Sequence, residues 1–141
     1  MNGKKRIVIV DDSESFCRAW REFFECRYGD RVRVETYLDP VAALREVRPD
    51  ITLLLVDLEM PVLDGRKFLE FAAARGVDRR RVMIVSARDA DDLHDLFPMG
   101  ACLAVINKED RPQQEAFLMI IESLLRDPPG SRSESSVSKP A

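Results

Sequence analysis

The sequence has no apolar run approaching the roughly 18 residues that a membrane-spanning helix needs, so no membrane partner is expected. Metal-ligand cysteine spacing is also missing. Cys17, Cys26 and Cys102 stand far apart and leave an odd one out of any disulfide set, as suits the reduced thiols of a cytoplasmic protein. The N-terminal Met1-Asn2-Gly3-Lys4-Lys5-Arg6 has the charge of a signal sequence, but the apolar stretch behind it runs only from Ile7 to Val10. That length suits a strand and not a secretory core. Basic residues are not in excess: the net charge is -3, and Arg79-Arg80-Arg81 with Arg75 is the only basic cluster. It falls between a predicted helix and a predicted strand and reads as a solvated loop, so nucleic acid is not expected as a direct partner.

What is present fits one globular domain. Of 141 residues, 45% are hydrophobic and 33% charged, enough for a real core and too short a chain for two ordinary domains. The domain is assigned to residues 1–126. Residues 127–141, rich in proline and serine with little to bury, are expected to be a disordered tail or a linker.

Short β-rich runs alternate with helical patterns. Lys4 to Val10 reads as a strand, and Ser13 caps a helix whose Phe16, Trp20, Phe23 and Phe24 recur at helical spacing until Tyr28-Gly29-Asp30. That aromatic stripe is read as core packing. Arg31 to Tyr37 alternates as a strand near a sheet edge does, and Asp39-Pro40 starts a short helix through Val47. Ile51 to Asp57 is an apolar run that suits a strand buried on both faces. Asp64-Gly65 opens a helix with Phe68, Leu69 and Ala72 inward, ended by Gly76. Arg81 to Val85 is the fourth strand, about Ala90 to Phe97 the fourth helix and Ala101 to Ile106 the fifth strand. Pro112 begins a last helix that buries Phe117, Ile120, Ile121, Leu124 and Leu125. Strict alternation of this kind predicts an α/β fold, a flavodoxin-like three-layer (βα)5 sandwich with a parallel five-stranded sheet in the order 2-1-3-4-5.

In such a sheet the ends of strands one, three, four and five lie on one rim, and they carry Asp11 and Asp12, Asp57, Ser86 and Lys108. Three carboxylates together repel one another and hold protons unless a cation joins them. A hard ion with oxygen ligands, Mg2+ above all, meets that need. These residue types suit phosphoryl transfer to a carboxylate. Asp57 is the nucleophile, already ionised at neutral pH, while Lys108 offsets charge on the phosphoryl oxygens and Ser86 donates a hydrogen bond to one of them. His94, on an acidic helix, is expected to be a solvated surface residue, and Met60-Pro61 to shape the loop.

Taken in order, Ile7-Val8-Ile9-Val10-Asp11-Asp12, Val56-Asp57-Leu58-Glu59-Met60-Pro61 with Asp64-Gly65, Val85-Ser86-Ala87, Gly100-Ala101 and Lys108 resemble the receiver domain of two-component response regulators, in its chemotaxis-regulator-like form. The resemblance covers residues 4 to about 126. It implies that Asp57 is the phosphoacceptor, fed by a histidine kinase or a histidine phosphotransfer protein. It implies that Asp12, Asp57 and the backbone carbonyl of Glu59 hold Mg2+ directly, with Asp11 acting through water, and that Ser86 is the switch hydroxyl. It implies no enzyme activity beyond self-phosphorylation and autodephosphorylation, and a downstream protein target on the face of the fourth helix, fifth strand and last helix. Whether the last helix also mediates a homodimer stays open.

Three departures stand out. Val105 occupies the position three before the lysine, where the family usually has an aromatic switch residue, and Glu109 follows Lys108 where proline is usual. The stretch from Gly100 to Lys108 is one residue longer than expected, which suggests a bulge. Glu59, two past Asp57, is expected to reach over the pocket and to influence acyl-phosphate lifetime. An aspartyl-phosphate hydrolase is disfavoured, because no cap region fits in this length, and a flavin or nucleotide binder because Asp11-Asp12 would repel a phosphate. The remaining alternatives are a pseudo-receiver adaptor that binds partners without phosphorylation, and a receiver excised from a longer regulator.

Overall fold

The structure is a computed structural model that describes residues 4–87, 97, 100–109 and 111–126. Its elements are β1 (Lys5–Val10), α1 (Glu14–Tyr28), β2 (Val32–Tyr37), α2 (Pro40–Leu44), β3 (Ile51–Asp57), α3 (Gly65–Ala74), β4 (Val82–Ser86), β5 (Ala104–Asn107) and α4 (Arg111–Leu125). The five strands form one sheet in the order β2-β1-β3-β4-β5, and every pairing is parallel. This is the flavodoxin-like arrangement expected from the alternation of strands and helices.

Apart from Lys5 and Thr52 every residue of β1 and β3 is buried, which is why both strands read as apolar runs without alternation. Val8, Val10, Leu54 and Val56 point to one layer, where they pack with Phe68, Leu69 and Ala72 of α3. Ile7, Ile9, Leu53 and Leu55 point to the other, against Phe24 of α1 and Phe117 and Ile121 of α4. Phe24, Phe68 and Phe117 are among the largest fully buried side chains. Each contributes about 2–3 kcal/mol over an exposed position, so these three residues clamp both helical layers onto the sheet. β2 lies at the edge and keeps a partly exposed pattern.

Helix starts follow local chemistry. The side chain of Ser13 accepts from the Phe16 amide, Asp39 from Val41 and Asp64 from Lys67, each satisfying a donor that the first turn leaves unpaired. α1 ends at Gly29, whose φ of 55° suits glycine.

Four local features differ from the sequence reading. α2 stops at Leu44 and not at Val47, because the amides of Arg45, Glu46 and Val47 bond to carbonyls three residues back. The chain tightens there ahead of Pro49, which disfavours helical backbone at Arg48. β5 starts at Ala104 and not at Ala101. Residues 101–103 form bends, with the Leu103 amide bonded to the Val82 carbonyl at 2.8 Å. The pairs from Met83↔Ala104 to Ser86↔Asn107 then run without a shift, so the extra residue is absorbed before β5 and not as a bulge within it. Arg6, which the sequence places in the charged N-terminal stretch, is only 6% exposed. Its guanidinium binds Glu35 at 2.8 Å, Asp50 at 2.9 Å and the Glu46 carbonyl at 2.7 Å. The predicted helix from Ala90 to Phe97, His94 within it, and the tail lie outside the described residues apart from Phe97, which is buried in the α3 layer.

Candidate functional site

The C-terminal rim of the sheet gathers the polar residues that end its strands. Asp57 closes β3 and Asp11 follows β1, and they are 2% and 1% exposed. Parallel pairing of β1 with β3 sets Val10 beside Val56, so the two carboxylates leave the sheet as neighbours. The Ser13 amide donates to Asp11 Oδ1 at 2.9 Å, which fixes the orientation of that carboxylate. Asp57 Oδ1 accepts the Glu59 amide at 3.3 Å.

Lys108 bridges the two acids, its Nζ lying 3.1 Å from Asp11 Oδ2 and 3.4 Å from Asp57 Oδ1. Three contacts hold it there. Its amide donates to the Ser86 carbonyl at 2.7 Å, its carbonyl accepts from the Gln114 side chain, and its ammonium sits 4.3 Å from the centre of the Phe16 ring. An ordinary peptide geometry at Glu109 therefore leaves the lysine on target.

Burial, followed by the charge of Asp11, pushes the Asp57 carboxyl up to about 7, against the opposing pull of Lys108. Burial works to lower the Lys108 pKa, but Asp11 and Asp57 outweigh it and raise it. One ammonium thus faces more negative charge than it can offset.

The same acids fit a divalent cation. One oxygen each of Asp11, Asp12 and Asp57 lies within 4.8 Å of the others, with Asp12 on the exposed side. Lys108 meets the buried Asp11 Oδ2 at 3.1 Å. Three carboxylates against one ammonium form an all-oxygen donor set with negative charge left over, which suits Mg2+.

Ser86 ends β4 on the same rim and is fully buried. Its hydroxyl donates to Glu59 Oε2 at 2.6 Å, and the Ala87 amide donates to Glu59 Oε1 at 3.3 Å. Glu59 therefore does reach over the rim. Val105 lies half-buried on β5, paired with Ile84, where an aliphatic side chain packs against the α3 layer.

Two contributors escaped the sequence reading. Helical spacing places Phe16 in the packed core, and nothing in that spacing signals a cation above its ring. Gly65 was read as a helix opener. A Cβ there would lie 2.5 Å from the Asp57 carbonyl oxygen and 2.9 Å from Leu58 Cα, so the residue must be glycine for α3 to approach the end of β3. The loop between them bends sharply, and exposed Val62 takes a φ of 72°. No helix among the described residues is long and apolar enough to cross a membrane.

The family model described as response regulator receiver domain matches residues 7–115. The polar-differentiation response regulator DivK of Brucella anthropi is 27% identical over 126 residues, covering 87% of this chain and 98% of that protein. Among solved structures, a CheY-like response regulator receiver domain protein from Methanospirillum hungatei superposes with a TM-score of 0.68 at 20% identity, over 94% of this chain and 99% of that one. The receiver domain of the sensor histidine kinase PA1611 from Pseudomonas aeruginosa, which has a magnesium ion coordinated in its active site cleft, superposes with a TM-score of 0.63 at 21% identity, over 86% and 98%. The chain spans only 19% of the length of two other curated relatives that it matches.

Proposed function

Because the chain belongs to the response regulator receiver domain family, we propose that Asp57 accepts a phosphoryl group from a histidine kinase or a histidine phosphotransfer protein and passes the change to a downstream protein. The observation that carries this reading is the buried Asp57 carboxylate held 3.4 Å from Lys108 beside two further acids. In the transfer an Asp57 oxygen forms a bond to phosphorus while the bond from phosphorus to the donor nitrogen breaks. The leaving imidazole keeps that electron pair. Asp11, Asp12 and Asp57, with the Glu59 carbonyl, would hold Mg2+, which supplies charge neutralisation at the phosphoryl oxygens.

Lys108 offsets negative charge from the opposite side, and its anchoring by Phe16 and Gln114 keeps the ammonium in place as charge builds up. Ser86 is the hydroxyl that the new group recruits. Val105 replaces the usual aromatic residue in relaying that movement through β5, and the output face includes β5 and α4. Incubation with acetyl phosphate and Mg2+ is expected to add the mass of one phosphoryl group to the wild-type chain, with none added to Asp57→Asn. Equal mass gain in both proteins, or none in the wild type, contradicts the assignment.

A further inference from the structure

We propose that Glu59 is a built-in anion that occupies the phosphoryl-oxygen donors at the end of β4 in the resting protein, and that phosphorylation of Asp57 has to evict it. This rests on the phosphoacceptor reading and assigns a regulatory contact to the same site.

Two donors from consecutive residues, the Ser86 hydroxyl at 2.6 Å and the Ala87 amide at 3.3 Å, converge on the two oxygens of one carboxylate. Such a fork suits any anion with two oxygens at that spacing, a phosphoryl group included. Ser86 has a single hydroxyl proton to donate, and it is directed at Glu59. It cannot serve a phosphoryl oxygen at the same time. Asp57 pairs with Val85 across the sheet, so a group attached to Asp57 arrives one residue from Ser86. A phosphoryl group and the Glu59 carboxylate are both anions, and like charges do not share two donors.

The geometry also lets Glu59 leave. The residue is exposed overall, in the loop between β3 and α3, whereas the Ser86 donor is buried at the end of β4 and exposed Ala87 follows it. Phosphorylation is therefore an exchange of one anion for another, and loop and strand separate as it occurs. The resting contact slows modification and holds Ser86 in one rotamer until the exchange.

The test compares phosphorylation rates with acetyl phosphate and Mg2+, read by intact mass, in wild type, Glu59→Gln and Glu59→Ala. Removing a charge-assisted competitor of ordinary strength is expected to speed modification about tenfold in Glu59→Ala. Glu59→Gln, which keeps an acceptor without the charge, is expected to fall between. The gain should shrink in a Ser86→Ala background, which removes the contested donor from both anions. Loss of the Glu59 partner of the buried Ser86 hydroxyl is expected to lower the melting temperature of Glu59→Ala by about 4–8 °C, so the rates are compared at 25 °C with folding of each variant checked by its melt. Equal or slower modification of Glu59→Ala, with wild type still modified, overturns the latch and leaves the phosphoacceptor standing. No modification of any of the proteins overturns both.

Discussion

Asp57→Asn is expected to raise the melting temperature of the metal-free protein at pH 8 by about 6 °C, corresponding to roughly 2 kcal/mol for a domain of this size. In the folded chain burial and Asp11 push the Asp57 carboxyl from 3.8 up to about 7. Between those two values the folded protein keeps a proton that the unfolded chain has already lost. Stability therefore falls as pH rises through that window, and the whole penalty is present above it. A shift of this size has a ceiling of about 4 kcal/mol at ~1.4 kcal/mol per pH unit. Solvent screening at the open rim of the sheet reduces it to about half. Asparagine keeps the acceptor for the Glu59 amide without the charge, so its stability should change little over the same range. Added Mg2+ should stabilise the wild type more than the variant and close the gap. Thermal melts from pH 4 to pH 8 would show this, and parallel wild-type and variant profiles would contradict it.

Gly65→Ala is expected to destabilise the fold by about 2–3 kcal/mol and to slow modification of Asp57. By helix propensity alone, alanine at the first residue of α3 ought to help by up to ~1 kcal/mol, so the sign of the effect separates the two accounts. The new Cβ would meet the Asp57 carbonyl oxygen at 2.5 Å and Leu58 Cα at 2.9 Å. Both are main-chain atoms at the end of a strand held between β1 and β4, and they cannot swing aside as a flexible side chain can. Relief has to come from α3 backing away, which loosens Phe68, Leu69 and Ala72 in the core and drags on the peptide that carries Asp57. Urea unfolding measures the first effect and intact mass after acetyl phosphate the second. A variant as stable as the wild type would show that α3 has slack there.

The strand order and the convergence of Asp11, Asp12, Asp57, Ser86 and Lys108 were legible in the sequence for one physical reason. Strands buried on both faces are written as apolar runs, and a parallel sheet delivers the residue after each run to the same rim. The capping residues Ser13, Asp39 and Asp64 were legible because a cap is chosen by its own next few residues. What stayed hidden depends on partners distant in sequence. Arg6 looks like any basic residue ahead of a strand until β1 takes a central place, where Glu35 and Asp50 close over it. The need for glycine at position 65 depends on the distance between α3 and β3, and the cation above Phe16 on the packing of α1 against the β5 end. The start of β5 is not written in the sequence because Ala101 to Leu103 are as apolar as the strand, and only the ladder with β4 decides where pairing begins.

The most direct measurement of the central claim, that Asp57 carries a phosphoryl site read by Ser86 and Lys108, is an amide NMR titration with beryllofluoride and Mg2+. Beryllofluoride mimics a phosphoryl group on a carboxylate without the covalent step. The account predicts saturable shifts at the amides of Asp57, Glu59, Ser86, Ala87 and Lys108 in the wild type, and none from beryllofluoride in Asp57→Asn. A wild-type spectrum unmoved at Ser86 and Lys108 would contradict it.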